Sequence, residues 1–297
     1  MPNSIALFAG FAGMLDEVYA SSSLTAILDG ASELARQGSR VNEMIVPKLT
    51  VQGLANYSRS DGYIPGDITL THETITCGYD RGRMFTVDAM DDEETAGVAF
   101  GQLAGEFIRT RVTPELDAYR FAKYAQSAGH SVQAYLSTGA EVLAALRDAA
   151  NYMDAAEVPL DGRVLFIASP LLGLVEDLDT TVSRAALSRF EPIVRAHPSR
   201  FYESVVLNDG ITGGQQDGGF SPAADAMGIS FLAAHRDAVV QFTKHAEPKV
   251  IPPRDNQAAD AWKFGYRLVS AAWALESKTS GIYAHLNAEP PEPEPED

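Results

Sequence analysis

The chain has 297 residues, a formal net charge of -17 and hydrophobic residues at 45% of its positions, which is enough apolar material for one large domain or two ordinary ones. Nucleic-acid binding requires lysine and arginine to displace counterions from phosphates, so this acidic composition argues against a general nucleic-acid binder and against attachment to anionic membranes. The single cysteine, Cys77, excludes an intrachain disulfide and fits a reducing compartment.

The first residues, "MPNSIALFAGFAGML", carry a short apolar run with no basic residue ahead of it, so a secretory signal is not expected. No run of about 18 apolar residues occurs, so no membrane span is expected either. Residues 23–37, "SLTAILDGASELARQ", predict a short helix with Ser22 or Ser23 as its N-cap.

Residues 41–90 predict an antiparallel hairpin followed by a third strand. The runs "VNEMIVPKLTV" and "DITLTHETITCGY" are rich in Val, Ile, Thr and Leu, which favours strands. Between them, "QGLANYSRSDGYIPGD" predicts a long flexible tip with few apolar anchors. The alternation in the second run does not show which face points inward. The segment "GRMFTVDAM" predicts the third strand.

Residues 91–126 predict a long helix, about 50 Å from end to end at 1.5 Å per residue. Acidic residues 91–94 stand where the helix dipole favours negative charge. Pro114 lies inside this rod, preceded by Thr113, a suitable N-cap, so the helix is expected to kink or to restart there. Two apolar stripes, turned about a third of the way round from each other, change over near this point and favour one continuous, kinked helix. They consist of Ala96, Phe100, Leu103 and Phe107, and of Ile108, Val112, Leu116 and Tyr119.

From residue 130 onward the pattern is α/β. Residues 137–156 predict a helix, with Ser137 or Thr138 as its N-cap. The apolar run "GRVLFIAS" predicts a strand, "PLLGLVEDL" the start of a helix, and "SRFYESVVLND" another strand.

The last part of the chain is richer in strands. Residues 229–245 predict a strand, a turn and a second strand, and residues 261–286 predict long strands in a hairpin. The segment "AEPPEPEPED" closes the sequence as a charged, proline-rich tail that cannot pack.

No motif in the sequence indicates catalysis, a metal or a cofactor. The glycine-rich residues 213–219 lack the spacing of a nucleotide-binding loop and indicate a flexible loop. Carboxylates at 88–94 could hold a divalent cation, but a helix start explains them more simply. Cys77 lies in a strand-like run and is read as a packed, unreactive thiol. An α/β enzyme built on residues 130–240 would need a nucleophile or cofactor motif, and neither is present.

The order of these parts resembles the major capsid protein of tailed bacteriophages, the Hong Kong 97-type fold. Residues 85–125, with an acidic start and "PELDAYR" at the centre, are similar to the spine helix of one capsid branch. Residues 228–253, followed by 257–286, are similar to that branch's closing segment, and "LDEVYASSSLTAILDG" also fits. Three such pieces in this order identify nearly the whole chain as a member of the family, with an α+β fold.

The resemblance implies a name for each part of the chain. The long rod would span an elongated subunit, its two halves packing on the peripheral sheet and on the start of the axial domain. The implied parts are an N-terminal arm (1–40), an E-loop hairpin (41–90), the spine helix of the peripheral domain (91–128), an axial domain (129–253), peripheral-domain strands (254–288) and an acidic Pro-rich tail (289–297).

The resemblance also implies partners and a place of action. Copies would assemble as pentamers and hexamers into an icosahedral shell, the virion capsid, built in the host cytoplasm around DNA that is not bound strongly or specifically. A portal is implied, and so is a separate scaffolding protein, because a chain of this length leaves little room for a scaffolding segment. Neither a membrane nor a cofactor is implied. Inter-subunit contacts are expected at Tyr57, Arg59, Tyr63, Arg109 and Arg111.

Two points within the family stay open at this stage. Some members crosslink an E-loop lysine to an asparagine of a neighbouring subunit. Residues 52–67 contain no lysine and Lys48 lies too early, so crosslinking is not expected. An encapsulin-type nanocompartment shell is the nearest alternative, since it shares the fold and encloses cargo enzymes instead of a genome.

Overall fold

Several predicted segments, among them the acidic helix start (91–94) and the proline-rich tail (289–297), lie outside the residues that the computed structural model describes. The described residues are 23–30, 36–37, 43–60, 62–90 and 104–288. Their strands are β1 (Arg36–Gln37), β2 (Glu43–Val51), β3 (Ile68–Thr76), β4 (Tyr79–Asp88), β5 (His130–Ala134), β6 (Arg163–Ala168), β7 (Ile193–Ala196), β8 (Val205–Leu207), β9 (Phe220–Pro222), β10 (Gly228–His235), β11 (Val239–Ile251), β12 (Ala261–Ala274) and β13 (Ile282–Asn287).

The helices of the described residues alternate with these strands in the middle of the chain. Short 3₁₀ turns cover Thr25–Leu28, Pro198–Arg200, Arg236–Ala238, Pro253–Asp255 and Glu276–Gly281. The α-helices are α1 (Thr113–Gln126), α2 (Gly139–Ala155), α3 (Ser169–Glu176) and α4 (Thr181–Leu187), and a π-helical turn (Ile108–Val112) leads into α1.

A five-stranded mixed sheet, in the order β5-β13-β10-β6-β7, organises one half of the structure. Strand β6 is buried along its whole length because both faces of the sheet are covered. Val164 and Phe166 face a core that includes Phe121 of α1, whereas Leu165 and Ile167 face a second core built with α2 and α3. The continuous apolar run of β6 therefore serves two cores through the two-residue period of a strand.

A three-stranded antiparallel sheet, in the order β11-β12-β4, organises the other half. Leu268 of β12 packs in the same core as Leu116 of α1, whereas Val269 and Ala271 face the opposite side. There they meet Ile75 at the base of the β2–β3 hairpin. This sheet therefore lies between α1 and the hairpin, and it fixes the direction in which the hairpin leaves the body.

The long helix passes through Pro114 without a break. Residues 104–107 are helical, the π-helical turn follows, and Val112 and Thr113 both have helical backbone angles. The prediction of one continuous helix is confirmed over the described part. Thr113 is not an N-cap, because it is itself helical and its N–H and hydroxyl both donate to the carbonyl of Ile108.

Other helix predictions meet mixed outcomes. Thr138 is the N-cap of α2 as predicted: its hydroxyl accepts from the N–H of Glu141, whose carboxylate accepts from the N–H of Thr138 at 3.0 Å. The helix predicted over residues 23–37 is wrong where it is described. The chain forms a four-residue 3₁₀ turn at Thr25–Leu28 and a strand at Arg36–Gln37, because Asp29 has extended backbone angles and Gly30 pairs with Gln241 of β11.

The sheet partners correct one strand prediction and assign a sheet to the third predicted strand, β4. Strands β12 and β13 do not form a hairpin with each other: β12 pairs with β11 and β4, and β13 pairs with β10 and β5. Likewise β4 belongs to the sheet of β12 and not to the hairpin sheet β1-β2-β3. A domain boundary at 253/254 therefore does not follow the sheets, because β11 precedes it and pairs with β12, which follows it.

Candidate assembly surface

The distal half of the β2–β3 hairpin presents an apolar face to solvent. Register pairs Leu49 with Leu70 and Val51 with Ile68, and the two-residue period brings all four side chains to one face. All four are exposed, Leu70 at 59% and Ile68 at 70%. We call these four residues the apolar face. A hydrophobic patch of this kind, rimmed by polar residues, is typical of an interaction site.

The opposite face of the hairpin is anchored at its base. Val46 and Ile75 are buried against the three-stranded sheet. Trp273 donates its indole N–H to the carboxylate of Glu73 at 2.6 Å, on the same face. Nine-residue strands extend about 30 Å, so a base held in this way leaves the distal half projecting from the body.

The hairpin tip brings three of the predicted contact residues together. The rings of Tyr57 and Tyr63 lie 4.9 Å apart between centroids, and both are exposed. Ser58 and Gly62 exchange two backbone hydrogen bonds, which close a tight turn, and Gly62 supplies the positive φ that this turn needs. Arg59 is exposed inside the same turn. The tip therefore holds a local shape through its own contacts.

The hairpin is less polar than its sequence indicates, although few of its apolar side chains are anchored within the chain. Eight of the sixteen exposed large hydrophobic side chains among the described residues fall between positions 49 and 70. Sequence reasoning missed the apolar face because Leu49 and Leu70 are 21 positions apart and meet only once the register is known. The eight are Leu49, Val51, Leu54, Tyr57, Tyr63, Ile64, Ile68 and Leu70.

The two predicted arginines of the long helix lie in a different region. Arg109 pairs with Glu106 on the same helix, at 2.7 Å, and is therefore already engaged within its own subunit. Arg111 is exposed and lines an open groove of about 880 Å³ beside strand β4. Phe85 and Phe107 meet edge to face in the wall of this groove, with ring centroids 4.8 Å apart.

The glycine-rich loop predicted as flexible is tied down at this groove. Arg83 donates to the carbonyls of Asp217 and Gln216, at 2.8 and 3.0 Å. Arg81 donates to the carbonyl of Gly219 at 3.2 Å and forms a 2.7 Å ion pair with the buried Glu115 of α1. Backbone carbonyls accept all the loop's bonds from these arginines, so the attachment does not depend on side chains of the loop.

The titratable groups do not converge on a reactive centre in the described part of the chain. No three His, Cys, Asp or Glu side chains there lie together as a possible metal site. The thiol of Cys77 is packed at the hairpin base as predicted, and burial raises its pKa, which favours the protonated form over the nucleophilic thiolate. No described helix is long and apolar enough to cross a membrane.

Comparison with known proteins gives a structural likeness without a sequence likeness. No protein-family model matches the chain, and no curated protein is similar to it in sequence. The structure is similar to one described as the asymmetric unit of bacteriophage PhiM1 mature capsid, with a TM-score of 0.58 and 11% identity over 85% of this chain and 84% of that one.

Two further solved structures extend this likeness. A chain from Gordonia phage Cozz has a TM-score of 0.62 and 11% identity, over 91% of this chain and 87% of that one. A virus-like particle from Pyrococcus furiosus has a TM-score of 0.54 and 12% identity, over 94% and 99%. At these identities the likeness concerns the fold, and the α+β, Hong Kong 97-type fold implied by the sequence is confirmed.

Proposed function

We propose that the chain is the major capsid protein of a tailed phage, the subunit that self-assembles into an icosahedral shell. In this role it has no catalytic task. Copies associate as pentamers and hexamers, and the shell is assembled in the host cytoplasm and becomes part of the virion.

The observation that carries this proposal is the apolar face on a projecting hairpin of a capsid fold. The apolar face is exposed in the single chain. Its burial against another surface would be favourable by roughly 25 cal/mol per Å². A two-stranded hairpin is marginal by itself, so a projecting one gains stability from a partner surface. In a closed shell every copy can supply that surface to a neighbour.

The predicted contact residues divide into two groups under this proposal. Tyr57, Arg59 and Tyr63 lie at the free end of the hairpin, where an extended arm first meets a neighbour. Arg111 lines an open groove and is exposed, whereas Arg109 is paired with Glu106. We therefore assign contacts first to the tip and the apolar face, then to Arg111, and last to Arg109.

The remaining partners follow from the proposed role. A separate scaffolding protein would direct assembly, and a portal would occupy one vertex. DNA would be enclosed without strong specific binding, since acidic residues outnumber basic ones by 40 to 23. Among described residues no lysine lies at the hairpin tip, so the shell is proposed to hold without E-loop lysine crosslinks.

An encapsulin-type nanocompartment shell is the second candidate. The fold likeness to a virus-like particle from Pyrococcus furiosus, over 94% of this chain, is the observation that favours it. Both candidates use the hairpin in the same way, so they differ in what the shell encloses.

Negative-stain electron microscopy of the purified chain at increasing concentration tests the proposal. Closed particles of uniform size are expected, and nuclease-protected DNA in particles from producing cells would favour the phage shell. Particles containing protein cargo and no protected DNA would favour the nanocompartment. A stable small oligomer that forms no particles at any concentration, with or without its co-expressed neighbouring gene products, contradicts both.

A further inference from the structure

The segment at residues 23–30 is held by a carboxylate of another element. Asp117 of α1 accepts hydrogen bonds from the hydroxyl of Ser23 (2.9 Å), the N–H of Leu24 (2.9 Å) and both the N–H (3.2 Å) and hydroxyl (2.6 Å) of Thr25. Leu24, the residue before the 3₁₀ turn, makes no side-chain cap of its own. Asp117 therefore caps this turn from outside, as a local N-cap side chain normally would.

Two further side chains form hydrogen bonds with the same segment. Arg120 donates to the hydroxyl oxygen of Thr25 at 3.1 Å. Gln241 of β11 donates to the carbonyl of Thr25 at 2.7 Å and to the carboxylate of Asp29 at 2.6 Å. The backbone of Gly30 donates to the carbonyl of Gln241 at 3.2 Å. Thr25 thus donates to one charged group and accepts from another.

These contacts come from a set of side chains that also bond to one another. Tyr124 donates to Gln241 at 2.6 Å, Arg120 to Ser270 at 3.1 Å, and Arg200 to Asp117 at 3.1 Å. We call this set the cradle; apart from the part-buried Arg200, its side chains are fully buried and stand on α1, β11 and β12. The cradle consists of Asp117, Arg120, Tyr124, Arg200, Gln241 and Ser270.

The chemistry of the cradle is that of a recognition site and not of ordinary core packing. Within the segment, Leu28 is a buried apolar anchor, but the cradle itself contacts the segment through directional, partly charged hydrogen bonds. Sites built to bond a hydroxyl reject an analogue that lacks it, because their buried polar groups are then left unpaired. A polar site can also take up water when its ligand leaves, which an apolar socket cannot.

We propose that the cradle is a specific binding site for a chain segment of the form Thr-x-x-x-Asp-Gly, which residues 23–30 occupy as a separable ligand. Thr25 is the residue that determines specificity, because its hydroxyl donates to Asp117 and accepts from Arg120. Asp29 and Gly30 add to the specificity, because the side chain of Gln241 donates to Asp29 and its backbone carbonyl accepts from Gly30. The inference does not depend on shell assembly, since every contact lies within one chain.

The test uses full-length chains and a labelled peptide of residues 21–32. A Thr25→Val chain keeps its cradle but holds its own segment weakly, so it should bind the peptide at least about tenfold more tightly than the wild-type chain does. A Thr25→Val peptide should bind at least about tenfold more weakly, and a chain carrying both Thr25→Val and Asp117→Asn should lose binding. A Thr71→Val chain, changed at an exposed threonine of the hairpin, should behave like wild type.

Hydrogen exchange on the wild-type and Asp117→Asn chains gives a second measurement that needs no peptide. The amides of Leu24 and Thr25 should exchange at least about tenfold faster in Asp117→Asn, while those of β12 stay unchanged. Equal binding of the two peptides to the Thr25→Val chain overturns the proposal. The proposal is also overturned if the amides of Leu24 and Thr25 exchange only when those of β12 do. The segment would then be an inseparable part of the core.

Discussion

The N–H and the hydroxyl of Thr113 both donate to the carbonyl oxygen of Ile108, five residues earlier, and Pro114 follows directly. This bonding widens one turn of the long helix just ahead of the residue that cannot donate. A π-helical turn shifts the carbonyls that a proline ring would otherwise meet, so the helix continues.

Pro114→Ala is therefore expected to change the free energy of unfolding by less than about 1 kcal/mol, because the π-helical turn already relieves the proline. Lys123→Pro, compared with Lys123→Ala, is the matched control at an exposed position of α1, and it should cost about 3 kcal/mol or more. Chemical denaturation of unassembled subunits measures both. A large stabilisation by Pro114→Ala would mean that the turn does not relieve the strain.

Continuity of this helix could be predicted from the sequence, whereas its internal bonding could not. The change of apolar stripe at Pro114 indicates two packing environments along one rod. The π-helical turn leaves no such trace, since Ile108–Val112 has the same residue types as an ordinary helical turn. Short elements such as β5 and α4 also escaped prediction, because they are too short to establish a hydrophobic period.

The pairing of strands β12 and β13 could not be predicted from the sequence. Strands β12 and β13 are both apolar, buried and close in sequence, which favours a hairpin locally. Instead β12 pairs with β11, which precedes it in the chain, and with the distant β4, whereas β13 pairs with β10 and the distant β5. The sequence pattern near β12 does not show which of its two neighbouring strands it joins. For the candidate site, the place of Tyr57 and Tyr63 at the hairpin tip could be predicted, but the apolar face depends on the β2–β3 register.

The double substitution Leu49→Gln and Leu70→Gln tests the apolar face. Both side chains are exposed, so the free energy of unfolding should change by less than about 1 kcal/mol. Assembly should be lost or strongly reduced if this face is buried between copies. Leu160→Gln, at a comparably exposed leucine outside the hairpin, is the control that should assemble normally. Sedimentation velocity separates subunits from particles, and unimpaired assembly of the double variant would exclude the face from the interface.

Deletion of residues 54–64 tests the hairpin tip separately. The base stays anchored by Ile75 and by the bond from Trp273 to Glu73, so the subunit should keep its circular dichroism spectrum and its cooperative unfolding. Assembly should fail, because the deletion removes Tyr57, Tyr63 and the turn between them. Closed shells formed by this variant would show that the tip is not a required contact.

His285 predicts a pH dependence of stability. Its ring is 1% exposed and stacks on Phe231 at 5.0 Å, and its Nδ1 has no hydrogen-bond partner among the described residues. Burial lowers the pKa of His285 from 6.5 to about 4. In the unfolded chain this histidine is protonated near pH 6.5, whereas in the folded chain it stays neutral down to about pH 4. It therefore reduces stability as the pH falls from about 6.5 to about 4.

His285→Phe should remove this part of the pH dependence. The difference in free energy of unfolding between wild type and variant should be constant above about pH 7 and should move in favour of the variant between pH 6.5 and pH 4. Denaturation curves at matched pH values measure it, and the range above pH 7 serves as the internal control. A difference that stays constant down to pH 4 would mean that His285 is protonated in the folded chain.

The charge of the chain predicts weak binding to duplex DNA. Acidic residues number 40 and basic residues 23, and Arg109, one cation that could face a genome, is already paired with Glu106. Phosphate contacts would release counterions and weaken steeply with salt, whereas net repulsion is screened beyond about 8 Å at physiological ionic strength. Unassembled subunits should therefore show no sub-micromolar affinity for duplex DNA at low or at physiological salt.

Deleting residues 289–297 removes five acidic side chains. The deletion should strengthen any residual DNA binding at low salt and leave binding at physiological salt unchanged. Sub-micromolar affinity that falls steeply with salt would reveal a concentrated basic patch, and a genome held by confinement alone would then be the wrong description.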